Sequence, residues 1–553
     1  MLCGDWLAEL TMLILAKARS RGRPAWATTF IRDLEPILTD IAGRGIRVVS
    51  NAGGLDPAGC AAQVQELATR AGVDLSVAYV DGDNLLPRWD DLIASGWEPT
   101  NLDTGEPFST VAAVALSANA YLGGWGITEA LRAGADIVIT GRVTDAAVTT
   151  GAAAWWHGWE PTDLDPLAGA VAAGHIIECG AQVTGGNYAF FDEIHDPIRP
   201  GMPIAEVAAD GSSVITKHPG TGGAVTVGTV TAQLLYEVTG PHYLGPDVTI
   251  DLRTIQLGQA GPDRVQVAGC IGAPPPPTLK VSVNADGGFR NSMTFMITGL
   301  DPDKKAANAE AGLWDAIPGG AGAFEQVDRT WWPAGRTDPT TNVDAMSTLR
   351  ITVHGPDERT VGRSFADAAV GLALSTYPGC FYSSPPGSAQ AVGLYWPTAV
   401  DRSFVTHTVT LPGGRRVIVQ DPVSAAVAPD DDEPGSSDVV ERPSGTAPLG
   451  MVIGARSGDK GGNANLGVWA TTAESFAWID GFLTTDRLRS LLPDVCDGHE
   501  VRRFRLPNLR ALNFVIVGLL GRGVAGCDRL DPQAKGLGEY LRAKLVAIPQ
   551  ELL

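Results

Sequence analysis

Between residues 47 and 157 the chain alternates short β-branched runs with helical patterns, and this rhythm restricts the fold more than any other feature of the sequence. RVVSN (47–51), LSVAYV (75–80) and DIVIT (136–140) read as strands. PAGCAAQVQELATRAG lies between the first two, ITEALRAGA precedes the third and DAAVTTGAAAWW follows it, each with apolar residues at helical spacing. Strand, helix, strand in succession predicts parallel β-α-β units with right-handed crossovers. Open sheets of this kind bind ligands at the carboxyl ends of their strands, so the polar loops after these runs are the first candidates for chemistry.

From about residue 205 the grain changes. AEVAADGSSVITK carries an Asp-Gly turn between two β-type runs, a hairpin signal, and DRVQVAG, TLKVSVNAD, SMTFMITGL and TLRITVHG add strands. The expected organisation is a large α/β region over 1–427 with a partly parallel sheet, divisible into lobes 1–204 and 205–427, the second α+β. APDDDEPGSSDVVERPSGTAP (428–448) is acidic, rich in Pro, Gly and Ser, and reads as a solvated linker. Residues 449–553 then hold about four strands and two helices, expected to form a small ferredoxin-like α/β sandwich.

With 553 residues the chain is too long for one ordinary core, and 44% hydrophobic with 19% charged residues is ordinary for a folded chain. The formal net charge of -21 leaves no basic stripe for nucleic acid. The seven cysteines are scattered without CxxC or zinc spacing, which points to reduced thiols in the cytoplasm. MLCGDWLAELTMLILAKAR reads as an amphipathic helix interrupted by Asp5 and Glu9, not as a leader, and no apolar run is long enough to span a bilayer.

Several Gly-rich polar loops follow predicted strands. NAGGLDP (51–57) places Asp56 to cap and Pro57 to open a helix, whose start could attract an anion or simply turn the chain. In TGRVTDAA (140–147), Arg142 stands where a carboxylate or phosphate would bind, and Asp145 is a candidate proton carrier or a helix cap. ECGAQVTGGNY (178–188) sets Glu178, Cys179, Gln182, Thr184 and Asn187 around a glycine turn, with Cys179 read as a buried structural thiol. ITKHPGTGGAVTVGTV (215–230) has the pattern of an anion cradle: Lys217, His218, Gly220, Thr221 and Gly222 before the helical stretch AVTVGTVTAQLLYE. No Walker loop, GxGxxG fingerprint, GxSxG elbow or HExxH helix is present, and no cofactor is expected. SGDKGGNAN (457–465) reads as a binding or catalytic loop between strands 450–455 and 466–470, offering Asp459, Lys460, Asn463 and Asn465.

Taken together, NAGGLDP, ANAYLGGWGI, ITGRVTDAA, ECGAQVTGGN, KHPGTGG, PPPPTLKV, STYPGCF and SGDKGGNAN resemble, in order and over nearly the whole chain, the acyclic terpene utilisation protein A family. The resemblance implies a ferredoxin-fold C-terminal domain and a cytoplasmic role in breakdown of acyclic isoprenoids of the citronellol and geraniol type, whose intermediates are branched acyl-CoA thioesters. Members of that family usually begin further upstream, with a strand and a glycine-rich loop.

The expected function is acid/base chemistry of the hydratase or lyase class on a branched carboxylate or acyl-CoA, CoA entering only as part of the substrate. Asp459, His218 and Asp145 are the candidate proton carriers. Arg142, Lys217, Lys460 and the loop of Gly220, Thr221 and Gly222 are candidate anion clamps, and Asn187, Asn463 and Asn465 candidate donors to an oxyanion. The alternative is a non-catalytic acyl-CoA-binding or accessory subunit. The expected partners are small molecules, with neither nucleic acid nor membrane, and homo-oligomerisation is the default expectation.

Overall fold

A computed structural model describes residues 1–385, 387–431, 433 and 444–553. It divides into two compact units, Met1–Asn284 with Tyr395–Val524 and Asp531–Leu553, and Ala285–Leu394 with Ala525–Leu530. The change of grain at 205 therefore does not mark a structural division, because the hairpin Pro203–Val207 with Ser213–Lys217 belongs to the first unit.

The first unit is built on a six-stranded sheet. Strands β1 (Leu2–Gly4), β2 (Val48–Ser50), β3 (Val77–Asp81) and β4 (Ile137–Thr140) lie in the order β1-β2-β4-β3, all parallel. Strands β5 (Thr408–Thr410) and β6 (Arg416–Ile418) extend the β3 side antiparallel. The parallel core is as the sequence rhythm predicts. Val48, Val49, Ile137, Val138 and Ile139 are at most 1% exposed, as expected of parallel strands covered on both faces. Helix α1 (Glu9–Ser20) follows β1, so the opening is not one helix: residues 2–4 pair with β2, and a turn through Asp5 separates strand from helix.

Helix α2 (Pro57–Ala71) joins β2 to β3, with Pro57 first and the Asp56 side chain accepting from Gly59 N at 2.8 Å. Helix α3 (Trp125–Arg132) precedes β4, and α4 (Ala147–His157) and α5 (Leu164–Ile177) follow it. Gly53 is a glycine for a steric reason. A Cβ there would stand 2.5 Å from the Thr140 carbonyl oxygen, so the loops after β2 and β4 can meet only without it.

The C-terminal part of this unit is an antiparallel sheet of β7 (Ile453–Lys460), β8 (Asn463–Ala470), β9 (Val501–Leu506) and β10 (Ala511–Ile516) in the order β7-β8-β10-β9. Helices Ala473–Phe482, Thr485–Leu491 and Leu537–Arg542 accompany it, giving the expected ferredoxin-like sandwich. SGDKGGNAN is not a loop between strands. It is the tip of the β7–β8 hairpin, turning only at Gly461 and Gly462.

Residues 432 and 434–443 of the predicted linker lie outside the described residues. Its two ends are bonded rather than solvated. Asp430 pairs with His242, the Glu433 N–H donates to the Arg503 carbonyl, and Ser444–Pro448 is a strand antiparallel to Leu545–Pro549.

The second unit centres on an antiparallel sheet in which Met346–Gly355 pairs with Gln326–Trp332 and with the residues from Phe289 to Thr298. Helix Pro302–Ala316 packs on it through Ala306, Ala309 and Leu313, against Phe295, Leu349, Ile351 and Phe365. In STYPGCF the Tyr377 hydroxyl donates to the Met296 carbonyl at 3.0 Å, so this aromatic loop closes its own unit.

Candidate functional site

The carboxyl ends of β1, β2 and β4 bring together residues that are far apart in sequence. Asp5 follows β1, Asn51 follows β2, and Arg142 and Asp145 follow β4. The Asn51 Nδ2 donates to Asp5 Oδ1 at 2.5 Å, and its Oδ1 accepts from the Trp6 N–H at 2.7 Å, which fixes the Asp5 carboxylate. Arg142, 3% exposed, pairs with Asp145 at 3.3 Å, donates to the Leu7 carbonyl and stacks over the Tyr121 ring at 4.1 Å. Burial works against its charge, but Tyr121, Asp145 and Asp5 more than offset that and keep the guanidinium protonated.

Over this edge opens a cavity of about 860 Å³, within the range of small-molecule sites. Phe30, Leu34, Val148, Ala152, Trp155 and Ile177 make its walls largely apolar, and its ionisable side chains are Cys3, Asp5, Asp33, Arg47, Asp145, His157, Glu178 and His218. Arg47 is committed, donating to the Ala135 carbonyl and lying over the Trp155 ring at 4.8 Å. Met1, Leu2, Ile37, Trp156 and Met202 line the cavity and are also exposed, so its rim is apolar.

Glu178 is the most enclosed acid of the lining. Its side chain is 6% exposed, its Oε1 meets His175 Nδ1 at 3.1 Å, and its Oε2 has no hydrogen-bond partner among the described residues. Burial is the largest influence on this carboxyl; with Asp145 and Asp5 nearby it outweighs His175 and lifts the group to about 7. Asp5 is exposed, but the space it opens onto is the cavity, and enclosure followed by the charge of Asp145 raises it to about 6. The second ring nitrogen of His175, Nε2, also lacks a partner among the described residues, and the ring lies 5.0 Å from that of Tyr243.

Behind the Glu178 segment lies a second polar group. Lys535 donates to the Tyr236 hydroxyl and pairs with Asp459 at 3.3 Å, while Arg456 lies 4.5 Å over the Tyr236 ring and donates to Gln182. Burial and Glu178 push the Tyr243 phenol up while Lys460 draws it down, so the hairpin tip acts electrostatically on the surroundings of Glu178. Glycine at 458 permits this docking, since a Cβ would stand 2.4 Å from the Tyr236 ring.

Of the residues expected from sequence, Asp145 and His218 line the cavity, His218 from an exposed position. Asp459 and Lys460 are in the adjoining polar group rather than in the lining. Asn463 donates to Asp103 at 2.8 Å and accepts from the Gly518 N–H, and Asn465 bonds Asn513 and the Glu237 N–H, so both fasten backbone. Asn187 occupies a left-handed turn at φ 59°, a conformation its short amide tolerates.

The loop of Lys217, Gly220, Thr221 and Gly222 departs from the expected anion cradle. Lys217 is committed to Asp263 at 3.1 Å and to the Thr221 carbonyl, and the Thr221 hydroxyl donates to the His218 carbonyl. The helix after it spans only Val227–Leu234, and its first donors are taken by a Thr226–Thr229 capping box and by Gln259. Gly220 takes a left-handed turn at φ 78°, and Gly222 lies against the Asp196 and Arg199 carbonyls. The N–H groups of Val227 and Thr229 at that helix start are thus spent on Gln259 and Thr226.

Sequence reasoning missed Asp5, His175 and Glu178 as members of one site. Glu178 and His175 were the legible pair: two ionisable residues three apart at the end of the otherwise uncharged stretch LAGAVAAGHIIE. Cys179, beside them, is pushed up by burial and then by Glu178, which makes it an unreactive thiol. Among the described residues no group of three or more His, Cys, Asp or Glu side chains is arranged to hold a metal ion, and no helix is long and apolar enough to cross a membrane.

No curated protein and no solved structure matches the chain. The profile described as acyclic terpene utilisation family protein AtuA matches residues 1–411, and that of the AtuA ferredoxin-like domain matches residues 447–547. Cavity, carboxyl cluster and hairpin tip thus sit in the two matched segments, and the chain belongs to the acyclic terpene utilisation family AtuA.

Proposed function

We propose that the chain is an enzyme of acyclic isoprenoid breakdown that adds water to, or eliminates it from, a branched acyl chain carried as a carboxylate or a CoA thioester. The observation that carries this reading is Glu178, an acid raised to about 7 with one oxygen unpartnered among the described residues, in a largely apolar cavity that also holds Asp5 and Asp145. A buried carboxyl without a full set of partners costs stability, and such groups concentrate where protons are moved. In hydration, protonated Glu178 gives its proton to one alkene carbon while a water oxygen bonds to the other. The proton that this water sheds passes to the carboxylate of Asp5 or Asp145, and elimination is the reverse.

Arg142 holds Asp145, and Asn51 holds Asp5, so both carboxylates are oriented before substrate arrives. Relative to the expectation from sequence, this reading moves the main acid from Asp459 to Glu178 and keeps Asp145. Lys460 and Asp459 support the site from behind. His218, on an exposed loop, is a rim contact. The seven free cysteines fit a cytoplasmic setting. The test is incubation in D2O with branched enoyl thioesters and their acids, followed by mass. A gain of water or of deuterium by the wild type, lost in Glu178→Gln, supports the reading; tight binding without any mass change would instead favour a non-catalytic acyl-CoA-binding subunit.

A further inference from the structure

Resting on that reading of the cavity, the geometry points to a more specific substrate class: we propose that the cavity admits an uncharged branched chain, as thioester or alcohol, and rejects the corresponding free carboxylate. Four carboxyl groups, Asp5, Asp33, Asp145 and Glu178, line one cavity whose wall is otherwise largely apolar apart from Arg47, His157 and His218. The Glu178 side chain is more than nine-tenths buried, and beside that cavity its Oε2 has no partner among the described residues. The nearest guanidinium groups are already engaged. Arg142 is committed to Asp145, the Leu7 carbonyl and the Tyr121 ring and is not part of the lining, and Arg47 is held by Ala135 and Trp155. A ligand carboxylate entering here meets like charge in a poorly solvated space with no guanidinium left to receive it. A thioester or hydroxyl offers an oxygen to a protonated acid and carries no charge to desolvate. The exposed rim of Met1, Leu2, Ile37, Trp156 and Met202 suits an apolar chain entering from solvent.

The titratable groups that act on Glu178 or feel it include His175 on its own helix end, Cys179 beside it, Asp145 after β4, Asp5 after β1 and Tyr243 on the strand His242–Leu244. Both exclusion of anions and its dependence on pH therefore follow from the same cluster. As pH falls and these carboxyls protonate, the barrier to a carboxylate ligand weakens.

The experiment titrates the full chain with a branched ten-carbon alkenoic acid, its N-acetylcysteamine thioester and the matching primary alcohol. Binding is followed by the fluorescence of Trp155 and Trp156, which line the cavity. At pH 8 the thioester and alcohol are expected to bind at least about tenfold more tightly than the acid, a preference set by like-charge repulsion in a poorly solvated site. That preference shrinks several-fold in Glu178→Gln, and in Asp5→Asn should the first variant fail to fold by circular dichroism. Equal or tighter binding of the acid at pH 8, a preference unmoved by both variants, or no saturable binding by any of the three overturns the proposal. Binding with the expected preference but no turnover would contradict only the hydratase or lyase reading.

Discussion

Glu178 Oε1 and His175 Nδ1 meet at 3.1 Å at the end of α5, and Oε2 and Nε2 on the far sides of the pair have no partner among the described residues. A pair built only for stability would have both outer atoms bonded, since an unsatisfied buried polar atom costs on the order of 1–3 kcal/mol. His175 acts through Glu178 and is a positioning residue. His175→Ala is predicted to lower kcat by about tenfold with little change in KM, and to move the alkaline limb of the kcat profile as Glu178 loses its partner. An unchanged profile would show the histidine to be structural.

Stability should depend on pH through the same carboxyl. Its folded value, about 7, lies above the ordinary 4.5, so the folded chain binds the extra proton between those limits and loses stability as pH rises from about 4.5 through 7. Glu178→Gln removes the penalty. At pH 8 the variant is expected to be more stable than wild type by roughly 1–3 kcal/mol, and near pH 4 the advantage should vanish. Denaturant unfolding of both proteins at the two pH values checks this.

Hydration or elimination should follow the protonated form of Glu178. Activity in the hydration direction is predicted to be highest just below pH 7, to fall as the acid ionises above it by about tenfold per unit at the alkaline end, and to fall at lower pH as the accepting carboxylates protonate. A profile flat from pH 6 to 9 would argue that another group delivers the proton. His218→Ala, by contrast, changes only a rim contact, and its kcat should stay within about threefold of wild type while KM rises.

The hairpin tip is predicted to work through packing. Gly458→Ala forces a Cβ to within 2.4 Å of the Tyr236 ring, so the ring or the hairpin must move. A loss of about 1–3 kcal/mol is expected, the usual cost of overpacking. Thermal unfolding measures it, and no loss would mean that β7 does not dock on Tyr236.

How much of this was legible in the sequence depends on whether a contact is local. The β2, β3 and β4 runs, the Asp56–Pro57 helix start and the ferredoxin-like sandwich announce themselves through period and capping, which a short window contains. Asp5 was hidden because leucines at helical spacing from residue 7 onward made the first twenty residues read as one helix, while strand β1 exists only through its pairing with β2. SGDKGGNAN read as a loop because glycine usually marks a turn. Here Gly461 does turn, but Gly458 serves close approach inside a strand, a need set by a tyrosine more than 200 residues away. KHPGTGG had the composition of an anion cradle, yet Asp263 and Gln259, distant in sequence, take its lysine and its helix donors.

The most direct test is turnover in D2O of a branched enoyl thioester by wild type and Glu178→Gln at pH 6.5, read by mass. A product carrying added water or carbon-bound deuterium in the wild type, reduced at least about a hundredfold in the variant, is the predicted result. Equal turnover by both proteins would contradict the assignment of Glu178 as the acid.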